Sequence, residues 1–189
     1  MKNWWLYIKF LWHSTNQHGV HSPFVFLLVT KCFYNNKNLD FYKKLDPNRK
    51  DFKNAKLLYR FTNYFEFETI YHPENLSPNF RTALTFEHLT KEIIVYSKDI
   101  PKIKTFNESY LIYLNNHALE HLSEIENILN RCSNNSIVLI ENIRQTPKIF
   151  KHWETLKHNP FVSVSIDTFD WGILCFRKEQ HKEHFVIRI

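Results

Sequence analysis

Short runs of β-forming apolar residues alternate with helical segments along this chain, and this alternation limits its fold more than any other feature. Such runs occupy residues 92–96, 110–114 and 137–140, and residues 117–131 between two of them have helical spacing. Strands that alternate with helices are typical of a parallel sheet covered by helices. We therefore predict an α/β fold.

The pattern predicts seven strands and six longer helices. The strands are predicted at 68–71, 92–96, 110–114, 137–140, 162–166, 172–176 and 185–189, and the helices at 2–12, 24–34, 51–65, 79–89, 117–131 and 147–157. No helix separates the last two strands, which predicts an antiparallel hairpin at one end of the sheet. Residues 2–12 are too short to span a bilayer. We expect this helix to pack on its own domain, with contact to a membrane surface as the alternative.

Glycine is scarce, with Gly19 and Gly172 as its only two occurrences in 189 residues. Average usage would give about a dozen. Glycine adopts positive φ and lets a backbone approach a ligand closely. A chain with so little glycine is expected to have few tight loops around a ligand.

The net charge of +6 is spread over the sequence, with a modest cluster at Lys43, Lys44, Arg49, Lys50 and Lys53. A nucleic-acid interface needs its cations on one face. We therefore expect a solvated basic surface rather than a nucleic-acid partner. The three cysteines lie far apart and show no metal-ligand spacing, which favours a reducing, cytoplasmic compartment.

Two stretches at opposite ends of the chain carry a family resemblance. Residues 18–26 read HGVHSPFVF, and residues 176–180 and 182–185 read FRKEQ and KEHF. Both stretches, in this order, resemble a family of class I S-adenosylmethionine-dependent methyltransferases found among the Bacteroidetes. The resemblance implies a Rossmann-like, mostly parallel sheet with an antiparallel C-terminal hairpin, a helical cap over residues 1–50 and a methyltransferase-type domain over residues 51–189. It also implies S-adenosylmethionine as the cofactor.

The chain departs from this family where the cofactor would bind. In relatives, a glycine-rich loop after the first strand brings backbone amides to the cofactor. The corresponding residues 68–78 hold no glycine and two prolines, and they include Tyr71, His72 and Glu74. Proline has no N–H to donate, and Glu74 would repel a carboxylate. The second strand ends in Ser97 instead of the acid that grips the ribose.

The later strand ends are also altered. Asn115 stands where relatives have an Asp-Gly pair, and Glu141-Asn142 where they have two acids. One carboxylate and two amides are a poor ligand set for a divalent ion, so no metal is expected.

Three histidines are further candidates for pocket polar groups. His18 and His21 lie in the N-terminal motif, either as a lid over a pocket or, as we favour, as groups that lock the cap by local hydrogen bonds. His117 stands near Glu120 and His121, as a candidate acid–base group or as an ordinary residue at a helix start.

The sequence thus predicts a methyltransferase-like protein with a degraded cofactor site and little or no activity. It would serve as a non-catalytic partner, of another protein or in a homo-oligomer, or have no strong function. An active methyltransferase with an altered loop and a non-catalytic binding module, for a protein or a nucleic acid, are the alternatives.

Overall fold

The computed structural model describes residues 4–35, 37, 39–86, 92–97, 100–101, 103 and 109–189. Within these ranges, a seven-stranded sheet has the order β2-β1-β3-β4-β6-β5-β7. The strands are β1 (Thr69–Pro73), β2 (Glu92–Tyr96), β3 (Tyr110–Leu114), β4 (Ile137–Glu141), β5 (Val164–Asp167), β6 (Trp171–Cys175) and β7 (Glu183–Val186). All seven correspond to the predicted runs.

The sheet is mostly parallel, and this confirms the predicted Rossmann-like α/β class. Strands β1 to β4 are parallel, and β6 lies antiparallel between β4 and β5. The predicted hairpin needs a correction, because β7 pairs with β5 in parallel rather than with β6. The last two strands do run in opposite directions, but β5 lies between them.

The helices are α1 (Trp4–His13), α2 (Pro23–Leu28), α3 (Phe52–Phe65), α4 (Pro78–Thr85), α5 (Leu122–Leu129) and α6 (Pro147–Lys157). Helix α2 continues into a π-helical turn over Val29–Phe33. Ser22, Ser77 and Thr146 cap α2, α4 and α6, each accepting a hydrogen bond from a backbone N–H, and a proline follows each cap.

One predicted helix is divided into two in the structure. The segment predicted as a single helix over 117–131 is a 3-10 helix, Asn116–Glu120, followed by α5. The backbone at His121 (φ −105°, ψ 53°) is not helical and separates the two. The predicted helix over 79–89 ends at Thr85, and its residues 87–89 lie outside the described part of the chain.

Apolar side chains cover both faces of the sheet. One core cluster joins Ile70, Leu111 and Leu139 to residues of α2, α3 and α4. The other joins Ile112, Val138 and Ile140 to residues of α5 and α6, among them Trp153. The alternation of neighbouring strand residues between the two clusters follows from the two-residue period of a strand.

The N-terminal segment packs against α3 and the sheet. Residues of α2, such as Val25 and Leu28, share the core cluster of α3. Thr15 forms a parallel bridge with Ile187, beyond the end of β7. The boundary near residue 50 stays a prediction.

Both glycines serve close packing. A Cβ at Gly172 would lie 2.5 Å from a ring carbon of Trp153, and one at Gly19 would overlap the hydroxyl of Thr15. Among the described residues, a positive, left-handed φ occurs at Glu66, Asn142 and Phe169 and at neither glycine. In the described part of the chain, the helices are too short or too polar to cross a bilayer.

Candidate functional site

The ends of β1, β3, β4 and β5 meet at one side of the sheet, which we call the carboxyl edge. The chain leaves β1 towards β2 on one side and returns to β3 on the other, so the sheet order reverses between β1 and β3. In open α/β sheets, ligands bind in the crevice at such a reversal. This crevice is therefore the candidate site to test.

The loop after β1 has few backbone donors left for a ligand. The N–H of Glu74 donates to the carbonyl of Tyr96 at 2.9 Å, and the N–H of Leu76 donates to the carbonyl of Glu74 at 3.0 Å. Pro73 and Pro78 have no N–H to offer. Only Asn75 and Ser77 remain as other backbone donors between these prolines. A loop that binds a nucleoside cofactor uses several converging amides.

Tyr96 closes the crevice itself. Its hydroxyl donates to the carbonyl oxygen of Tyr113 on β3 at 2.6 Å. Strand β1 lies between β2 and β3, so the phenol ring of Tyr96 reaches across the end of β1. Tyr96 and Tyr71 belong to the same buried cluster. Aromatic side chains therefore line this face of the crevice.

His72 is buried beside this crevice. Its Nδ1 lies 2.9 Å from the carbonyl oxygen of Pro73, so Nδ1 carries the proton and donates it. Burial lowers the pKa of His72, while this hydrogen bond acts in the opposite direction. The Nε2 atom is buried without a hydrogen-bond partner among the described residues. The ring is thus held in one orientation and is directed away from solvent.

The ends of β3 and β4 are joined by a carboxylate network. Tyr113 donates its hydroxyl proton to Oε2 of Glu141 at 2.7 Å, and Asn142 donates from Nδ2 to Oε1 at 2.9 Å. Burial raises the pKa of Glu141, and these two hydrogen bonds act against that rise. Burial and the Glu141 carboxylate raise the pKa of Tyr113 well above its usual value. Both acceptor oxygens of Glu141 are therefore engaged by protein groups.

The structure places the other predicted residues as follows. Asn115 accepts a hydrogen bond from the N–H of Ala118 and so starts the 3-10 helix after β3. His117, in the same turn, is exposed, as are Glu74 and Ser97. Glu141 ends β4, and Asn115, His117 and Asn142 follow strand ends at the same carboxyl edge.

His18 and His21 do not join this group. Ser22, next to His21, donates to Oε1 of Gln180, and the adjacent Phe24 lines a cavity with Ser109 and Asn134. Ser109 and Asn134 come just before β3 and β4. The HGVHSPFVF motif therefore lies towards the opposite, amino-terminal edge of the sheet.

Two features at the carboxyl edge escaped the sequence analysis. One is Tyr96, whose inward direction follows from the two-residue period through Ile94.

The other is the turn between β5 and β6, where Arg144 pairs with Asp167 and donates to the carbonyl of Phe169 at 3.0 Å. Phe10, Phe150 and Phe169 surround the guanidinium at 4.6 to 5.3 Å from their ring centroids. Arg144 follows one parallel strand and Asp167 ends another, so the predicted strands were enough to place both residues at the same edge of the sheet.

Cavities flank this turn, on either side of Phe10. One of about 560 Å³ is lined by α1, α3 and the turn, and includes Lys53, Lys56 and Arg188. Another of about 300 Å³ lies between α1, α6 and the edge of the sheet. Within the described ranges, no group of three His, Cys, Asp or Glu side chains is arranged to hold a metal ion.

At the reversal of strand order, the hydroxyl of Tyr96 reaches across the end of β1, and two of the four amides between Pro73 and Pro78 are engaged within the protein. Comparison of the chain with protein-family models, curated proteins and solved structures finds no match.

Proposed function

We propose that this chain is a non-catalytic protein on a methyltransferase-like sheet, which acts in the cytoplasm by binding rather than by methyl transfer. The observation that carries the proposal is the hydrogen bond from Tyr96 to the carbonyl of Tyr113, by which a phenol ring crosses the end of β1 at the reversal of strand order, where a nucleoside cofactor is expected to bind.

The sheet supports the methyltransferase-like part of the proposal. An antiparallel strand, β6, is inserted between two parallel strands near one end. The resemblance of the two terminal motifs implies a mostly parallel sheet with an antiparallel C-terminal hairpin. The mostly parallel sheet supports it, although β7 pairs with β5 and forms no hairpin with β6. The absence of a matching comparison leaves this ancestry as a proposal.

The polar groups at the carboxyl edge support the non-catalytic part. A methyltransferase needs an acid for the ribose and open amides for the amino-acid end of the cofactor. Here Ser97 follows the second strand in place of the ribose acid, and Glu74 brings a negative charge to the loop. The carboxylate of Glu141, at the end of β4, is engaged by Tyr113 and Asn142. General base catalysis by Glu141 would require it to exchange these partners for a substrate.

The basic cluster gives little support to a nucleic-acid module. Lys43 pairs with Asp40 at 2.7 Å, and Arg49 pairs with Asp51 at 3.4 Å. Lys44 lies over the ring of Phe86. These charges are partly compensated by neighbouring carboxylates, so we expect no steeply salt-dependent retention on DNA or RNA. The three free cysteines support a reducing compartment.

Calorimetric titration with S-adenosylmethionine and S-adenosylhomocysteine tests the proposal. We expect no binding tighter than about 100 μM, which corresponds to roughly 5 kcal/mol. Radiolabelled S-adenosylmethionine is expected to transfer no methyl group to cell extract in the presence of the chain. Tight binding, or a crystal complex with the nucleoside beside Ile70 and His72, would show that the site works.

A further inference from the structure

Helix α1 has two apolar faces, and only one of them is used by the fold. Phe10 is buried, and Tyr7 and Phe10 contact Phe169 with ring centroids 4.9 and 5.3 Å apart. Trp4, Trp5 and Trp12 are instead 68%, 79% and 86% exposed. This exposure exceeds that of the other large apolar side chains among the described residues.

The exposed tryptophans share one side of the helix. At 100° per residue, the side chains of Trp4, Trp5 and Trp12 fall within an arc of about 100°, and that of Ile8 lies between them. Phe10 lies on the opposite side of the wheel. The helix thus presents an indole-rich strip to solvent while its other side is fixed to the turn between β5 and β6.

Basic groups flank this strip. Lys9 is exposed on α1 itself. The cavity on one side of α1 is lined by Lys53, Lys56 and Arg188, with Asp170 as an acid in the same wall. The net charge of the whole chain is +6. An anionic surface would therefore complement both the helix and its surroundings.

We propose that α1 is an interfacial anchor that docks this protein on an anionic phospholipid surface. Indole combines an apolar ring with an N–H donor, and it prefers the boundary between headgroups and acyl chains. The ten residues of α1 extend about 15 Å, half of a bilayer's apolar core, so the helix lies in the plane of the interface. The inner leaflet of a cell membrane carries the required negative charge.

A second copy of the chain is a poorer occupant of this strip. A two-fold dimer brings the same surface of each copy together. Lys9 and the basic cavity wall of both copies would then be brought into one interface, where like charges repel. This anchor does not use the residues of the cofactor crevice, because α1 packs on the turn between β5 and β6, towards the other end of the sheet from the reversal between β1 and β3.

Tryptophan fluorescence of the full chain tests the docking directly. Trp4, Trp5 and Trp12 are exposed, whereas Trp153 and Trp171 are each 1% exposed. Vesicles of phosphatidylcholine with roughly 30% phosphatidylglycerol should shift the emission to the blue and protect it from acrylamide, and pure phosphatidylcholine should do so much less. Raising the salt from about 0.05 to about 0.5 M should weaken the binding. No shift with either vesicle overturns the proposal.

Co-sedimentation of variants with the same vesicles identifies the binding surface. The variant Trp4→Ser with Trp5→Ser and Trp12→Ser should bind at least about tenfold more weakly. The matched control Phe161→Ser changes an exposed aromatic residue outside α1 and should bind like the wild type. Lys9→Glu with Lys53→Glu keeps the indoles and should lose the preference for anionic vesicles.

Circular dichroism and the emission of the two buried tryptophans establish that each variant is folded. Equal binding by the wild type and the triple tryptophan variant would overturn the proposal. So would a dimer, seen by light scattering, that depends on the three tryptophans while vesicles are not bound.

Discussion

Arg144 and Asp167 join the ends of β4 and β5 through a bidentate ion pair, with Nη1–Oδ1 and Nη2–Oδ2 distances of 2.6 and 2.5 Å. The two side chains are only 13% and 9% exposed. Oδ1 of Asp167 also accepts the N–H of Phe169, whose φ of 76° is unusual for a bulky residue. The ion pair thus holds a strained turn against which α1 packs.

Arg144→Ala is expected to destabilise the chain by about 3 kcal/mol, because it leaves the Asp167 carboxylate buried and unpaired. Urea unfolding at pH 7, followed by circular dichroism, measures the loss. The control Lys148→Ala removes an exposed cation of α6 and should change stability by less than about 0.5 kcal/mol. An equal, small effect of both variants would mean that the ion pair contributes little.

Gly172→Ala is expected to cost about 1–3 kcal/mol by overpacking, since the new Cβ would lie 2.5 to 2.9 Å from three ring carbons of Trp153. Both residues lie in the interior, where the ring cannot move aside. A double-mutant cycle with Trp153→Leu checks the cause. The double variant should be less destabilised than the sum of the single variants, and simple additivity would refute the proposed clash.

The strand pattern was readable because strands buried on both faces leave continuous apolar runs such as residues 137–140. Which strands pair with each other was harder to predict from the sequence. The segment 176–182 could close a hairpin on β6 or carry the chain across to β5, and its charged residues suit both paths. Glu183 donates its N–H to the carbonyl of Ser163, which places β7 beside β5.

The candidate site was predictable only in part. The two prolines and the missing glycine in residues 73–78 indicated poor backbone donors, and the loop's hydrogen bonds agree with that. The position of Tyr96 across the end of β1 was not predicted, because the residue that follows the strand, where relatives have an acid, is Ser97. A side chain's reach across a neighbouring strand depends on the order of the strands, which the sequence does not state.

The cysteines are expected to differ in reactivity although burial raises the pKa of all three thiols to about 12. Cys132 is partly exposed, whereas Cys32 and Cys175 are buried. At pH 8, iodoacetamide should modify Cys132 slowly and the other two only after unfolding, because the thiolate is the reactive form. Peptide mass spectrometry of native and urea-treated samples measures this. Modification of Cys175 in the native chain, at the rate of Cys132, would contradict the buried placement.

His72 is expected to make the fold sensitive to acid. Burial lowers its pKa in the folded chain below the ordinary value of about 6.5 that it has when unfolded. The unfolded chain therefore takes up a proton that the folded chain resists. The resulting stabilisation is complete above pH 6.5 and is lost as the pH falls towards the lower folded-state pKa. Urea unfolding at pH 7.5 and pH 5.5 should show a smaller decrease for His72→Phe than for the wild type. His181→Gln, at an exposed position, should keep the wild-type decrease, and identical pH dependence in all three chains would exclude His72 as the cause.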